Sequence, residues 1–155
     1  MQYRLYTPED FDELYAIEEV CFRSPFRFGR GYLHQLIHRP NAATWIAEEE
    51  GQICGFGIVE WTREAGGVMA YIQTLEVVPE QRGQGVGGEL LRLIEGSARA
   101  AGAQLIWFHV NAENADAIRL YAGHGYLCEG TEENYYAKGR AALIYRKPLE
   151  SETAD

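Results

Sequence analysis

The most constraining feature of this chain is a strand-like apolar run followed by four glycines within six positions, just where a helical pattern begins. Tyr71 to Gly88 reads Y-I-Q-T-L-E-V-V-P-E-Q-R-G-Q-G-V-G-G. Tyr71, Ile72, Leu75, Val77 and Val78 form the run, Pro79 breaks it, and a helical pattern follows from Glu89 to Ala101. Glycine weakens a helix by about 1 kcal/mol relative to alanine, so glycines packed at a helix start call for another reason. A strand that enters such a turn presents backbone N–H groups with no side chains in the way. The helix N-terminus adds a partial positive charge, and the whole makes a cradle for phosphate.

Two other readings of these glycines compete. Gly83-x-Gly85-x-x-Gly88 satisfies the dinucleotide fingerprint, which belongs in a first βαβ unit with an acidic residue about 20 positions on, at the end of the next strand. Here the turn lies mid-chain, and the next strand, Leu105-Ile-Trp-Phe-His-Val110, holds no acidic residue. A turn that is merely tight leaves the density of glycines at the helix start unexplained.

The 155 residues suit one domain, expected over residues 1–149, with 150–155 (E-S-E-T-A-D) expected to be a disordered acidic tail. A formal charge of −9 argues against nucleic acid as a direct partner, because phosphate backbones need a basic face. No apolar run approaches the roughly 20 residues that span a bilayer, so no membrane partner is expected. The chain enters a strand pattern directly at Met1-Gln-Tyr-Arg-Leu-Tyr, with no secretory leader. Cys21, Cys54 and Cys128 are odd in number and scattered, which fits a reducing cytoplasm.

Periodicity predicts a strand at Tyr3–Tyr6 and a helix after the Thr7-Pro8-Glu9-Asp10 start, carrying Phe11, Leu14, Tyr15, Ile17 and Val20. Cys21 to Gly31 is irregular, and a short helix spans Tyr32 to His38. Thr44–Glu48 and Ile53–Trp61 pair around Glu50-Gly51. After the glycine turn and its helix come a strand at Leu105–Val110 and a helix at Asn114–Gly123. Strands at Tyr126–Thr131 and Ala141–Arg146 flank a loop with Asn134, Tyr135 and Tyr136. This β-α-α-β-β-β-α-β-α-β-β order implies an α/β fold, a mixed sheet with helices on both faces.

The spacing Arg82-x-x-Gly85-x-Gly87 resembles the pyrophosphate loop of the GNAT acetyltransferases. A second segment, Asn114-x-x-Ala117-x-x-Leu120-Tyr121-x-x-x-Gly125-Tyr126, is similar to the other half of that family's signature. The two stand about thirty residues apart in the family's order, and the element order matches along essentially the whole chain. Ile106-Trp-Phe-His109-Val110 and Asn134-Tyr135-Tyr136 further resemble the N-terminal amino-acid acetyltransferases, which include bacterial enzymes acting on ribosomal proteins. Bacterial members usually carry glutamate where this chain has His109, and one eukaryotic branch has histidine there, with a near-identical Y-I-x-T-L.

The resemblance implies a mostly antiparallel sheet whose fourth and fifth strands splay, with acetyl-coenzyme A as co-substrate and no metal. It implies cofactor contacts from Leu75, Glu76, Val77, Val78, Arg82, Gly83, Gln84, Gly85, Val86, Gly87 and Asn114. Tyr121 would be the general acid beside the thioester sulfur, and Tyr135 and Tyr136 would wall the acceptor groove opposite Phe26. The acceptor would be a protein or peptide N-terminus, such as that of a ribosomal protein. A base near pKa 6.5, His109, suits an α-amine of pKa about 7.7–8.0 better than a lysine near 10.4, which is roughly a hundredfold or more less often neutral. Tyr71 is either the partner of His109 or a core aromatic. A lysine or small-amine acceptor and a non-catalytic acetyl-coenzyme A module remain open alternatives. His34 and His38 have a metal-like spacing but no third ligand near them in sequence.

Overall fold

The computed structural model describes residues 1–150; the expected tail lies, apart from Glu150, outside the described residues. The elements are β1 (Gln2–Leu5), α1 (Phe11–Cys21), α2 (Arg30–Ile37), β2 (Ala42–Glu49), β3 (Gln52–Glu64), β4 (Gly67–Val77), α3 (Val86–Ala100), β5 (Ala103–Asn111), α4 (Ala115–Gly123), β6 (Leu127–Ala137) and β7 (Arg140–Pro148). Their order is the expected one, α/β with a seven-stranded mixed sheet arranged β1-β2-β3-β4-β5-β7-β6. Every pairing is antiparallel except β4 with β5.

Each face of the sheet is covered by the apolar stripe of a helix pair. Phe11, Leu14 and Ile17 of α1 and Leu33 and Ile37 of α2 pack on Ile46, Phe56 and Ile58. On the other face Leu91, Ile94 and Ala98 of α3 and Tyr121 of α4 pack on Val59, Ile106 and Phe108. The buried positions of α3 follow the i, i+4 rule, which is why the chain is helical there. Gly55 lets β3 lie close to its neighbours, since a Cβ there would stand 2.8 Å from the Glu76 carbonyl oxygen.

Most element ends shift by one or two residues, and three regions differ by more, each for a physical reason. Helix α3 starts at Val86 rather than Glu89, because Gly87 and Gly88 belong to its first turn. Those two glycines admit α4: Cβ atoms would meet Leu120 at 3.2 Å and His124 at 2.9 Å. The β3–β4 hairpin runs on to Glu64 and Gly67 through backbone pairing, with polar, exposed Thr62–Glu64 on one strand and unalternating Gly67–Ala70 on the other, so neither shows a period-two pattern. The tyrosine pair expected in a loop lies within β6, and the true hairpin turn is Lys138-Gly139.

Candidate active site

Strands β4 and β5 pair only over Val68–Tyr71 and Ala103–Trp107, then diverge. Gln73 is skipped in the β3–β4 register, so a bulge bends β4 where it leaves β5. The opening leads into a cavity of about 450 Å³ lined from five elements and the α1–α2 segment.

The free edge of β4 presents peptide groups to this opening. Val78 N–H donates to the Cys54 carbonyl of β3, and peptide groups alternate along a strand. Those of Leu75 and Val77 therefore face the opening, whereas those of Glu76 and Val78 face β3. The Val77 carbonyl accepts from Arg82 Nε at 2.8 Å, so the Arg82 side chain folds back to brace the strand. Past it, Gly83 (φ +77°) and Gly85 (φ +85°) hold left-handed conformations that suit glycine, and a Cβ at either would meet open space. Gly85 caps α3, so the N–H groups of Val86 and Gly87 point out of the helix start beside Gln84. These features fit an extended amide arm followed by a pyrophosphate.

Tyr71 and His109 meet across the divergence, with the Tyr71 hydroxyl 2.7 Å from Nδ1. Burial pushes the Tyr71 phenol well above its usual range, so it stays protonated, and it donates to Nδ1 in the histidine tautomer whose hydrogen is on Nε2. The neutral ring then carries its hydrogen on Nε2, which faces Glu132 Oε1 at 3.7 Å. Burial lowers the His109 pKa, and the Glu132 carboxylate opposes that shift. Glu132 escaped the sequence reading; nothing in its local pattern marks it, since only the β6–β7–β5 register brings it to His109.

Tyr135 stacks on His109, ring centroids 4.0 Å apart and 8° from parallel. Tyr136 meets Tyr135 edge-on at 4.9 Å and Phe26 at 4.9 Å, so the three aromatics line one mouth of the cavity. Asn134 makes this possible: its φ of +57° bends β6, and its side-chain oxygen accepts from Gly139 N–H at 2.7 Å. At the inner end lies Tyr121, 6% exposed and packed on Phe108 at 4.0 Å. Burial raises its phenol far above its ordinary range, so its hydroxyl stays protonated at any working pH. Asn114, also lining the cavity, caps α4 by accepting from Ala117 N–H at 3.2 Å.

His34 and His38 lie elsewhere, their rings stacked at 4.1 Å beside a shallow hollow between the start of α1 and α2. Among the described residues, no three His, Cys, Asp or Glu side chains converge as metal ligands. Cys21, Cys54 and Cys128 are unpaired. No described helix is long and apolar enough to cross a membrane.

Residues 11–126 match the Acetyltransferase (GNAT) family. A Bacillus subtilis protein named "putative ribosomal protein bS18-alanine N-acetyltransferase" is 34% identical over 140 residues, 88% of this chain and 87% of that protein. The aminoalkylphosphonate N-acetyltransferase of Salmonella typhimurium is 31% identical over 128 residues, 77% and 80% of the two chains. The crystal structure of the Escherichia coli ribosomal-protein-S18-alanine N-acetyltransferase shares the fold, with a TM-score of 0.83 at 21% identity over 99% of this chain and 98% of that one.

Proposed function

This chain belongs to the GNAT family and is an N-acetyltransferase, and from that premise we propose that it acetylates the N-terminal α-amine of a protein or peptide. Acetyl-coenzyme A supplies the acetyl group as a thioester. In this reading the Leu75 and Val77 peptide groups pair with the pantetheine amides as an added strand would. The amides from Gly83 to Gly87 cradle the pyrophosphate, and the Asn114 side chain steadies the arm.

The observation that carries the proposal is the Tyr71–His109 hydrogen bond at the mouth of an aromatic groove. As the amine nitrogen attacks the thioester carbonyl, a C–N bond forms and the nitrogen must lose a proton. The Tyr71 oxygen takes that proton while passing its own to His109 Nδ1, and the resulting imidazolium faces Glu132. When the C–S bond breaks, Tyr121 gives its hydroxyl proton to the leaving sulfur. An α-amine of pKa about 7.7–8.0 is partly neutral near pH 7, so a weakly basic, buried histidine can serve it where a lysine near 10.4 would stay almost wholly charged. Tyr135, Tyr136 and Phe26 enclose a narrow entry suited to a chain end, and a segment with backbone on both sides fits it poorly.

The name of the Bacillus relative supports a ribosomal-protein N-terminus as acceptor, and the three free cysteines support a cytoplasmic setting. The name of the Salmonella relative favours a second reading, a small primary amine in the same groove. Thiol release from acetyl-coenzyme A, measured with N-terminal peptides, α-blocked lysine peptides and aminoalkylphosphonates, separates the two. We expect the N-terminal peptides to be turned over fastest, and faster turnover of the phosphonates would overturn the proposal.

A further inference from the structure

Behind the donor strand, two glutamates with no part in the chemistry above meet in the core. Glu18 of α1 is fully buried, and Glu76 of β4 is 2% exposed. One oxygen of each is satisfied: Glu18 Oε2 accepts from Phe28 N–H at 2.9 Å, and Glu76 Oε2 from the Thr74 hydroxyl at 2.7 Å. The remaining oxygens, Glu18 Oε1 and Glu76 Oε1, are buried with no partner, and the packing of α1 on β4 brings the Glu18 carboxyl beside that of Glu76. The guanidinium on this side, Arg82, is directed at the Val77 carbonyl and at Cys21 Sγ, 3.7 Å away. Two bare carboxylates in such a place would repel each other and leave two orphaned acceptors, a state that buried acids escape by taking up a proton.

We infer that Glu76 is protonated in the folded protein and donates to Glu18, forming a clamp that holds the Phe22–Phe28 segment against the donor strand. One proton satisfies both orphaned oxygens and leaves the other two bonds intact. Glu18 then joins two structures at once: it holds Phe28 N–H, two residues from the Phe26 ring at the groove mouth, and it grips β4 between Leu75 and Val77. Both residues are positioning residues.

The surroundings agree. Burial first, then the Glu18 hydrogen bond and charge, push the Glu76 carboxyl well above its ordinary range, against the pull of Thr74. The other titratable groups on this side are Cys21 of α1, whose thiol burial pushes up, and Arg82 and Glu80 beyond the end of β4. Phe56, opposite Glu76 on β3, is apolar. The sign of the linkage follows. The folded state keeps a proton that the unfolded chain releases near pH 4.3, so this group makes stability fall as pH rises above that value, until Glu76 ionises in the folded state.

The assignment of Phe26 to an acceptor groove rests on the proposed function; the shared proton does not. The test uses the ligand-free protein, its Glu76→Gln variant, whose amide donates to Glu18 permanently, and Glu18→Ala. Infrared spectroscopy at pH 7 should show a protonated carboxylic-acid stretch in the wild type that Glu76→Gln lacks. Between about pH 5 and 7 the wild-type folding constant should fall about tenfold per pH unit more steeply than that of Glu76→Gln. Absence of the band, or parallel pH slopes, would overturn the shared proton. Amide exchange at Phe28 should quicken about tenfold or more in Glu18→Ala and stay slow in Glu76→Gln. Unchanged exchange in Glu18→Ala would overturn the clamp. Where an acceptor is turned over, Glu18→Ala should raise its KM about fivefold or more with kcat within about twofold. A failed acceptor panel leaves the infrared and exchange results standing, so the two failures are distinguishable.

Discussion

The Tyr71 hydroxyl lies 2.7 Å from Nδ1 of His109 across a sheet that has just come apart. Tyr71 and Trp107 are the last paired residues of β4 and β5, and His109 stands two positions further on. Had the strands stayed paired, backbone hydrogen bonds would fill the space where a donor arm and an amine must meet. The splay thus supplies both an open strand edge and a hydrogen-bonded tyrosine–histidine pair at its start.

Tyr121→Phe should lower kcat about 100-fold, because only the donated proton is lost. Acetyl-coenzyme A affinity should stay within about twofold, since the ring and its packing on Phe108 remain. Calorimetry and steady-state kinetics check both; a wild-type rate across pH would assign the acid role to another group.

The acidic limb of kcat should fall below the ordinary histidine value of about 6.5, because burial lowers the His109 pKa. Glu132→Gln removes the charge that favours the imidazolium, so it should move the limb to still lower pH. His109→Ala should abolish the limb and reduce kcat about 100-fold. A limb that stays in place in Glu132→Gln would exclude the carboxylate from the relay.

Gly85→Asn tests the phosphate cradle. Asparagine tolerates the left-handed backbone at φ +85°, and the free protein has open space there, so the fold should survive. The side chain would occupy the cradle, and affinity for acetyl-coenzyme A by calorimetry should drop about tenfold or more. Unchanged affinity would place the pyrophosphate elsewhere.

Phe26→Ala removes one wall of the groove, where its ring meets Tyr136 at 4.9 Å. Acceptor KM should rise about fivefold or more, since this half-buried ring contributes at or below the low end of the roughly 1.5–3 kcal/mol of a fully buried aromatic, with acetyl-coenzyme A affinity unaffected. An unchanged KM would remove Phe26 from the acceptor site.

What the sequence made legible was local. The glycine turn, the Asn114 cap and the helix bearing Tyr121 are short-range patterns, and they carried the fold and the proposed donor site. Glu132 and the tyrosine pair depend on long-range register, and on one asparagine bending β6 out of plain alternation. The Glu18–Glu76 pair joins residues 58 positions apart in sequence, and a buried glutamate reads locally like an exposed one. Gly87 and Gly88 were legible as a helix start but not as the seat for α4, because that contact comes from the other end of a βα unit.

The central claim, an α-amine acceptor, is tested most directly by one peptide that carries both a free N-terminus and an internal lysine. After incubation with acetyl-coenzyme A, fragmentation mass spectrometry locates the acetyl group. The account predicts that it sits on the α-amine, at least about tenfold over the lysine, and that blocking the α-amine nearly stops turnover. Acetylation mainly on the lysine, or undiminished turnover of the blocked peptide, would contradict it.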